Sequence, residues 1–182
     1  VLDPFAGGSV RGIVASKLGR SYVGIELRDE QVAANKAQLL LAGIPKPEWR
    51  AGDSRQIAKL AGDVHADLIF SCPPYWNLEV YSDDPNDLST LGKEEFFAAQ
   101  AQIIRDAVAR LRPDRFCVWV VGDVRDAEGF YVNLPGRTVE AFEKAGARLY
   151  NEIILVTAAG SLPVRVGKQF TSGRKVGKTH QN

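Results

Sequence analysis

Residues 71–75 read Ser-Cys-Pro-Pro-Tyr and follow directly on the apolar run Ala66-Asp67-Leu68-Ile69-Phe70. Two prolines cannot donate to a hydrogen-bond ladder, so a strand over 66–71 must leave its sheet here as a rigid turn. That exposed turn aims the carbonyls of Cys72 and Pro73 outward at the carboxyl edge of the sheet and presents Tyr75 as a flat ring beside them. Carbonyl acceptors next to an aromatic face suit a planar ring that carries an exocyclic amino group, as a nucleobase does. A Pro-Pro strand terminator followed by a half-buried tyrosine would read the same way.

The first residues carry the second signal. Val1-Leu2-Asp3-Pro4-Phe5-Ala6-Gly7-Gly8-Ser9 reads as the end of a buried strand running into a glycine-rich turn, with a helical segment from Gly12 to Leu18 behind it. Gly7 and Gly8 allow close approach of a ligand to the backbone, and Asp3 can reach cationic or amide groups across that gap. The spacing does not supply the G-x-G-x-x-G of a dinucleotide site. Gly7 and Gly12 have the spacing of a nucleoside-triphosphate loop, but Ile13 and Val14 stand where Lys and Ser/Thr are needed. A nucleoside without phosphates remains.

The next strand ends support it. Tyr22-Val23-Gly24-Ile25-Glu26-Leu27 places a carboxylate about twenty residues past the glycine turn, where it can accept both hydroxyls of a ribose. Arg50-Ala51-Gly52-Asp53-Ser54 places another at the end of a third strand, within reach of an adenine amino group. Asp53-Ser54 also has the residue types of a helix cap.

Between these points the chain alternates short apolar strands with helices. Strands are expected over Tyr22–Leu27, Trp49–Ala51, Ala66–Ser71, Arg115–Val121 and Arg148–Thr157. Helices are expected over 29–42, 55–61, Lys93–Leu111 and Pro135–Lys144, with a long acidic and aromatic loop from Tyr75 to Leu91. Such alternation implies an α/β fold with a mainly parallel sheet covered by helices on both faces. The 182 residues, 45% hydrophobic and 25% charged, fit one soluble domain, and no apolar run is long enough to cross a bilayer. Cys72 and Cys117 are read as free thiols in a reducing compartment, and neither lies in a cluster spaced for a metal. From Gly160 onward there are five basic residues, Arg165, Lys168, Arg174, Lys175 and Lys178, and no acid. The first 159 residues hold 18 basic against 22 acidic ones, so the end of the chain reads either as a phosphate-contacting arm or as a solvated loop.

Taken together, the segments resemble a known family. Asp3-Pro4-Phe5-Ala6-Gly7-Gly8-Ser9 resembles the S-adenosylmethionine-binding motif of amino-methylating DNA methyltransferases. Cys72-Pro73-Pro74-Tyr75 resembles their catalytic motif, usually Asp/Asn/Ser-Pro-Pro-Tyr/Phe, and the likeness continues through Trp76-Asn77-Leu78-Glu79-Val80-Tyr81-Ser82 in a manner closest to phage-type enzymes. The resemblance implies a Rossmann-like methyltransferase fold and a single catalytic domain over 1–182. Within it, 1–62 would be the cofactor half, 63–159 the catalytic half and 160–182 the basic arm. It implies S-adenosylmethionine as cofactor, held by residues 3–9 with Glu26, Asp53 and Ser54, and no metal. It implies a DNA base as substrate, methylated at adenine N6 or cytosine N4; the residues of the long loop themselves let Trp76 and Tyr81 flank such an unstacked base, and the charge of the arm lets it contact phosphates. The expected location is the cytoplasm of a bacterial or phage-infected cell.

One position departs from the family pattern. Where the family most often has Asp, this chain has Cys72, a weak acceptor and mostly neutral at its ordinary pKa. The Pro73 carbonyl survives the change. A small neutral residue resembles the Ser of many cytosine-amino enzymes, so the target base stays open. A thiolate nucleophile is the alternative chemistry, but enzymes of that kind place Cys after Pro. An RNA base methyltransferase and a catalytically inactive nucleic-acid-binding scaffold are the other readings. The chain has no Met, begins inside its first strand, and ends where the family would add a further antiparallel strand. It is therefore expected to be an excised or processed domain, or an incomplete one, that lacks the last strand of the fold.

Overall fold

The computed structural model describes residues 1–156 and the backbone of residues 180–181. Five parallel strands form one sheet: β1 (Leu2–Asp3), β2 (Val23–Glu26), β3 (Glu48–Ala51), β4 (Ala66–Ser71) and β5 (Leu111–Trp119). Their spatial order is β3-β2-β1-β4-β5. The helices are α1 (Val10–Lys17), α2 (Asp29–Ala37), α3 (Ile57–Leu60), α4 (Lys93–Val108) and α5 (Leu134–Lys144). The chain thus winds outward from β1 in one direction, returns, and winds outward in the other. The connections after β1 and β4 diverge and leave a crevice between the carboxyl ends of those strands, the place where open α/β sheets bind ligands.

Strand pleating sends alternate residues to opposite faces. Leu2, Ile25 and Ile69 point to one face and pack with Ile57 and Ala61 of the α3 region and Ala107 of α4. On the other face Tyr22 and Trp49 meet Ala15 of α1 and Val32 of α2. Gly12 is required at that contact, since a Cβ there would stand 2.6 Å from the Trp49 ring. A third cluster, formed by Phe96, Phe97 and Ile103 of α4 with Leu134 of α5, includes Tyr75, Leu88, Val124 and Val132 at the carboxyl edge. Trp119 of β5 joins sheet to helix through an edge contact with Phe142, ring centroids 5.4 Å apart.

Several element boundaries differ from the sequence expectation. The first helix starts at Val10, with Gly12 inside it. Helix α2 stops at Ala37, and a 3-10 turn over Leu39–Leu41 takes the place of its last residues. The segment 55–61 divides into a 3-10 turn over Ser54–Gln56 and the single turn of α3. The larger correction concerns Arg148–Thr157. Among the described residues of that segment only Leu155–Val156 (β6) is in a ladder, and its partner is His180–Gln181 (β7), antiparallel and outside the five-stranded sheet. The apolar content of 149–156 signalled a core strand, yet these side chains are exposed. Among the described residues β5 is correspondingly the edge of the main sheet, with Phe116 58% exposed and the Tyr150 ring 5.4 Å away. Among the described residues no helix is long and apolar enough to cross a membrane.

Cys117 lies on β5 with its thiol pushed up to about 11 by burial, from an ordinary 9.0. The unfolded chain releases this proton first, so the folded state loses stability as pH rises from about 9 to 11. Cys117→Ala is expected to remove that component from the pH dependence of the denaturation midpoint. An unchanged alkaline limb in the variant would refute the assignment. Tyr22, whose phenol burial and Asp3 both push upward, adds a loss that begins at 10.0 and persists in the variant.

Candidate active site

The glycine turn is built from a buried carboxylate outward. Asp3, 0% exposed, accepts from Tyr22 Oη at 2.8 Å, Ser71 Oγ at 2.6 Å, Arg11 Nε at 2.6 Å and the Phe5 amide at 3.1 Å. It therefore ties the end of β1 to the end of β4 and to α1. Arg11 stands in the first turn of α1, where a cation opposes the helix dipole. Burial also works against its charge, but the field of Asp3 and the hydrogen bond to it outweigh both and raise its pKa. The Arg11 guanidinium then donates to the carbonyls of Phe5 and, at 3.0 Å, Ala6. Ser54 Oγ donates to the Pro4 carbonyl, and Asn35 Nδ2 donates to the Gly7 carbonyl at 2.8 Å. Successive carbonyls of the turn are thus held by side chains, which fixes the turn while Gly7 stays open to the space in front of it. Gly7 has φ +53, and a Cβ built on Gly7 or Gly8 would meet nothing within 4 Å.

In front of the turn lies a cavity of about 230 Å³, lined among others by Phe5, Gly7, Arg11, Glu26, Asp53 and Cys72. Glu26 Oε2 accepts from the Gly7 amide at 3.0 Å and Oε1 from the Arg28 amide at 3.1 Å, so its carboxylate is held at the rim. Asp53 accepts from the Arg55 amide and from Arg55 Nε, both at 2.8 Å. It caps the 3-10 turn, as the sequence suggested, and also lines the cavity.

The β4–β5 ladder runs on to the bond from the Val120 amide to the Ser71 carbonyl, 2.9 Å, and stops where Pro73 and Pro74 have no N–H to give. Cys72 and Pro74 face the cavity, whereas Pro73 is buried. Tyr75 differs from expectation. It is only 9% exposed, packed in the cluster with Phe96, Phe97, Val124 and Val132. Its hydroxyl donates to the Val120 carbonyl at 3.3 Å and lies 3.8 Å from Cys72 Sγ. Burial, and then the neighbouring Cys72, push its pKa upward. The ring after the two prolines thus supports the turn from below and offers no flat open face. Trp76 turns away as well, its Nε1 donating to the Leu91 carbonyl at 3.2 Å.

The loop after Trp76 forms the outer wall. Buried Asp87 organises it, accepting from Ser82 Oγ at 2.9 Å, Ser89 Oγ at 2.7 Å and the Ser89 amide at 2.9 Å. This brings Tyr81, Ser82, Asn86 and Leu88 onto the cavity. Arg55 Nη2 donates to Asn86 Oδ1 at 2.9 Å and clasps the loop to the Asp53 side. Tyr81 has its phenol pKa raised by burial and by Glu79.

The structure brings Pro4, Phe5, Gly7, Glu26, Asp53, Ser54, Cys72, Pro74 and Tyr81 to one cavity. It assigns Asp3 to holding the turn. Ser9 is buried and donates to Gln38 Oε1 at 2.6 Å, so it too is structural, and Ala6 and Gly8 complete the turn without lining the cavity. The basic residues Arg165, Lys168, Arg174, Lys175 and Lys178 lie outside the described residues. Arg11, Asn35, Arg55 and Asp87 were missed. Arg11 did leave a signal, a cation in the first turn of a helix, and Asp87-Leu88-Ser89 has the pattern of an Asx turn. Asn35 and Arg55 left none, because their partners are distant backbone and loop atoms.

Among solved structures, TrmN from Thermus thermophilus superposes with a TM-score of 0.51 at 22% identity, over 65% of this chain and 32% of that one. A TehB-like SAM-dependent methyltransferase from Corynebacterium glutamicum also gives 0.51, at 19% identity, over 79% of this chain and 63% of that one. This is the Rossmann-like methyltransferase fold. The chain spans about a third of the first protein and less than two thirds of the second. No protein-family model and no curated protein sequence matches it.

Proposed function

We propose that this domain transfers a methyl group from S-adenosylmethionine to the exocyclic amino group of a DNA base, adenine N6 or cytosine N4. The observation that carries the reading is the cavity at the switch point, where the open glycine turn, Glu26 and Asp53 share one space with Cys72 and Pro74. The residues fit the cofactor. The open side of Gly7 admits close approach, Glu26 would accept from ribose hydroxyls, and Asp53 from an adenine amino group. Bound there, S-adenosylmethionine would supply a methyl group activated on a sulfonium. On the other wall Cys72, a weak acceptor, and Pro74 would face the amino nitrogen, whose lone pair would point to the cofactor side; Pro73, expected to supply the main acceptor carbonyl, is buried and does not line the cavity. The rate then comes from proximity and alignment, without a covalent enzyme intermediate. Tyr75 serves this geometry by holding the turn, and Tyr81 is the exposed aromatic on the cavity wall. Glu79, Asp83 and Asp84 on the neighbouring loop repel phosphates, so backbone contacts are assigned to the basic arm at 160–182. The proposed setting is the cytoplasm of a bacterial or phage-infected cell.

The test is transfer of labelled methyl to DNA and to RNA, followed by digestion to nucleosides. Label in N6-methyladenine or N4-methylcytosine from DNA supports the reading. Label only in RNA moves the substrate to RNA, label at cytosine carbon 5 assigns Cys72 as nucleophile, and cofactor binding without transfer leaves a scaffold. Glu26→Ala is expected to weaken S-adenosylmethionine binding about 10- to 150-fold, from the loss of charged hydrogen bonds worth about 1.5–3 kcal/mol. Calorimetry checks this, and unchanged binding would overturn the ribose assignment whatever the substrate is.

A further inference from the structure

With Tyr75 and Trp76 both turned inward, the Pro-Pro turn has no open stacking face on the β5 side, yet the structure supplies aromatic surface there. Beyond β5 the chain forms a small hairpin between Asp123 and Asn133. It is closed by an antiparallel bridge between Arg125 and Tyr131 and by bonds from the Val132 amide to the Val124 carbonyl, 3.0 Å, and from the Asp126 amide to the Phe130 carbonyl, 2.9 Å. Its stem residues Val124 and Val132 pack in the same cluster as Tyr75. Phe5, Cys72 and Leu88 touch both that cluster and the cavity, so the hairpin stands directly behind the Pro-Pro turn. Its crown is unlike its stem. Phe130 is 72% exposed, Tyr131 48% exposed, and the Arg125 guanidinium lies 4.1 Å over the Tyr131 ring.

The hairpin carries Asp123, Asp126 and Glu128 against Arg125, so a strand would meet it through the guanidinium plane and the ring faces and not through its phosphates. Asp123 Oδ1 is used by the amides of Val124 and Leu134, each at 3.0 Å, and Asp126 Oδ1 by the Phe130 amide at 2.8 Å. Two of its carboxylates are thus fixed by its own backbone while keeping their charge, and Glu128 sits in the turn. Arg125 meanwhile donates to the Gly129 carbonyl at 2.6 Å, which fixes its plane above the ring. A hairpin crown that sets an exposed Phe130 ring beside a guanidinium stacked on Tyr131 offers planar faces on which unpaired bases stack without their edges being read.

We infer that the 123–133 hairpin is a stacking grip for an unpaired nucleobase of the nucleic-acid strand that enters the Pro-Pro turn. This rests on the methyl-transfer reading and names the surface that holds its substrate. The experiment measures binding of a fluorescent single-stranded oligonucleotide, and of the same strand carrying abasic sites, to the 182-residue chain and to a Phe130→Ala/Tyr131→Ala variant. The variant is expected to bind the intact strand about 5- to 150-fold more weakly, the effect of losing one stacked base. Its discrimination between intact and abasic strands should shrink by the same factor, while calorimetry shows unchanged S-adenosylmethionine binding. Equal binding of the intact strand by wild type and variant overturns the grip and leaves the methyl-transfer reading standing. Should the variant not fold, wild type that binds intact and abasic strands equally well overturns it instead. Wild type that binds no strand and labels no nucleic acid overturns both.

Discussion

Asp3→Ala is expected to destabilise the domain by about 3–5 kcal/mol, the range found when one partner of a buried ion pair is removed. A large fraction of the stability of a domain this size would go with it. The reason is the number of groups that share one carboxylate. Its loss leaves the guanidinium of Arg11 without its counter-ion and the hydroxyls of Tyr22 and Ser71 without their acceptor, all in or beside the core. Asp3→Asn keeps the shape but not the charge and is expected to fall between wild type and Asp3→Ala. Urea denaturation measures both. An Asp3→Ala protein of near wild-type stability that has lost only cofactor binding would show that Asp3 is a ligand-contacting residue and not the joint between β1, β4 and α1. Because Arg11 holds the Phe5 and Ala6 carbonyls through this joint, cofactor affinity should fall together with stability.

Tyr75→Ala is expected to cost about 3–5 kcal/mol of stability, as for other large aromatic truncations in a packed cluster. Tyr75→Phe keeps the ring and loses only the 3.3 Å hydrogen bond to the Val120 carbonyl, for about 0.5–1.5 kcal/mol. The pair of variants separates two roles. A stacking platform would lose substrate affinity in Tyr75→Ala while remaining as stable as wild type. A buried support loses stability first, and its Phe variant retains both stability and methyl transfer. Cys72→Ser in the same background should keep measurable transfer, since Cys72 needs only to be small and weakly accepting. A dead Cys72→Ser beside a fully active Tyr75→Phe would point to a nucleophilic thiol.

The alternation of apolar strands with helices, the glycine turn and the Pro-Pro turn were legible in the sequence because each rests on local backbone chemistry. Proline has no N–H wherever it stands, and β4 ends at Ser71 for that reason alone. The helix expected over Lys93–Leu111 is observed as α4, with Phe96, Phe97, Ile103 and Ile104 buried, although it ends at Val108 and Leu111 already belongs to β5. The carboxylates at the ends of successive strands were legible too, because a strand's carboxyl end is set by where its apolar run stops.

What each polar group does was not legible. Asp3, Ser9 and Ser54 have the residue types of ligand contacts, and their position in the motif is the same for either role. Only the three-dimensional arrangement shows that Tyr22, Ser71, Gln38 and the Pro4 carbonyl are close enough to occupy them. Exposure of Tyr75 was likewise undecidable from its neighbours, since its environment comes from α4 and the hairpin, some twenty and fifty residues later. The failure at 148–157 has the same origin. Apolar composition makes a strand possible, but a strand joins a sheet only where an edge with matching hydrogen-bond partners is reached, and here the short ladder of Leu155–Val156 finds His180–Gln181 instead. Sequence alone determined the elements and their order, which depend on neighbours along the chain. Tertiary structure decided which polar and aromatic groups remain free to act, because a hydrogen bond or a buried face belongs to two distant segments at once.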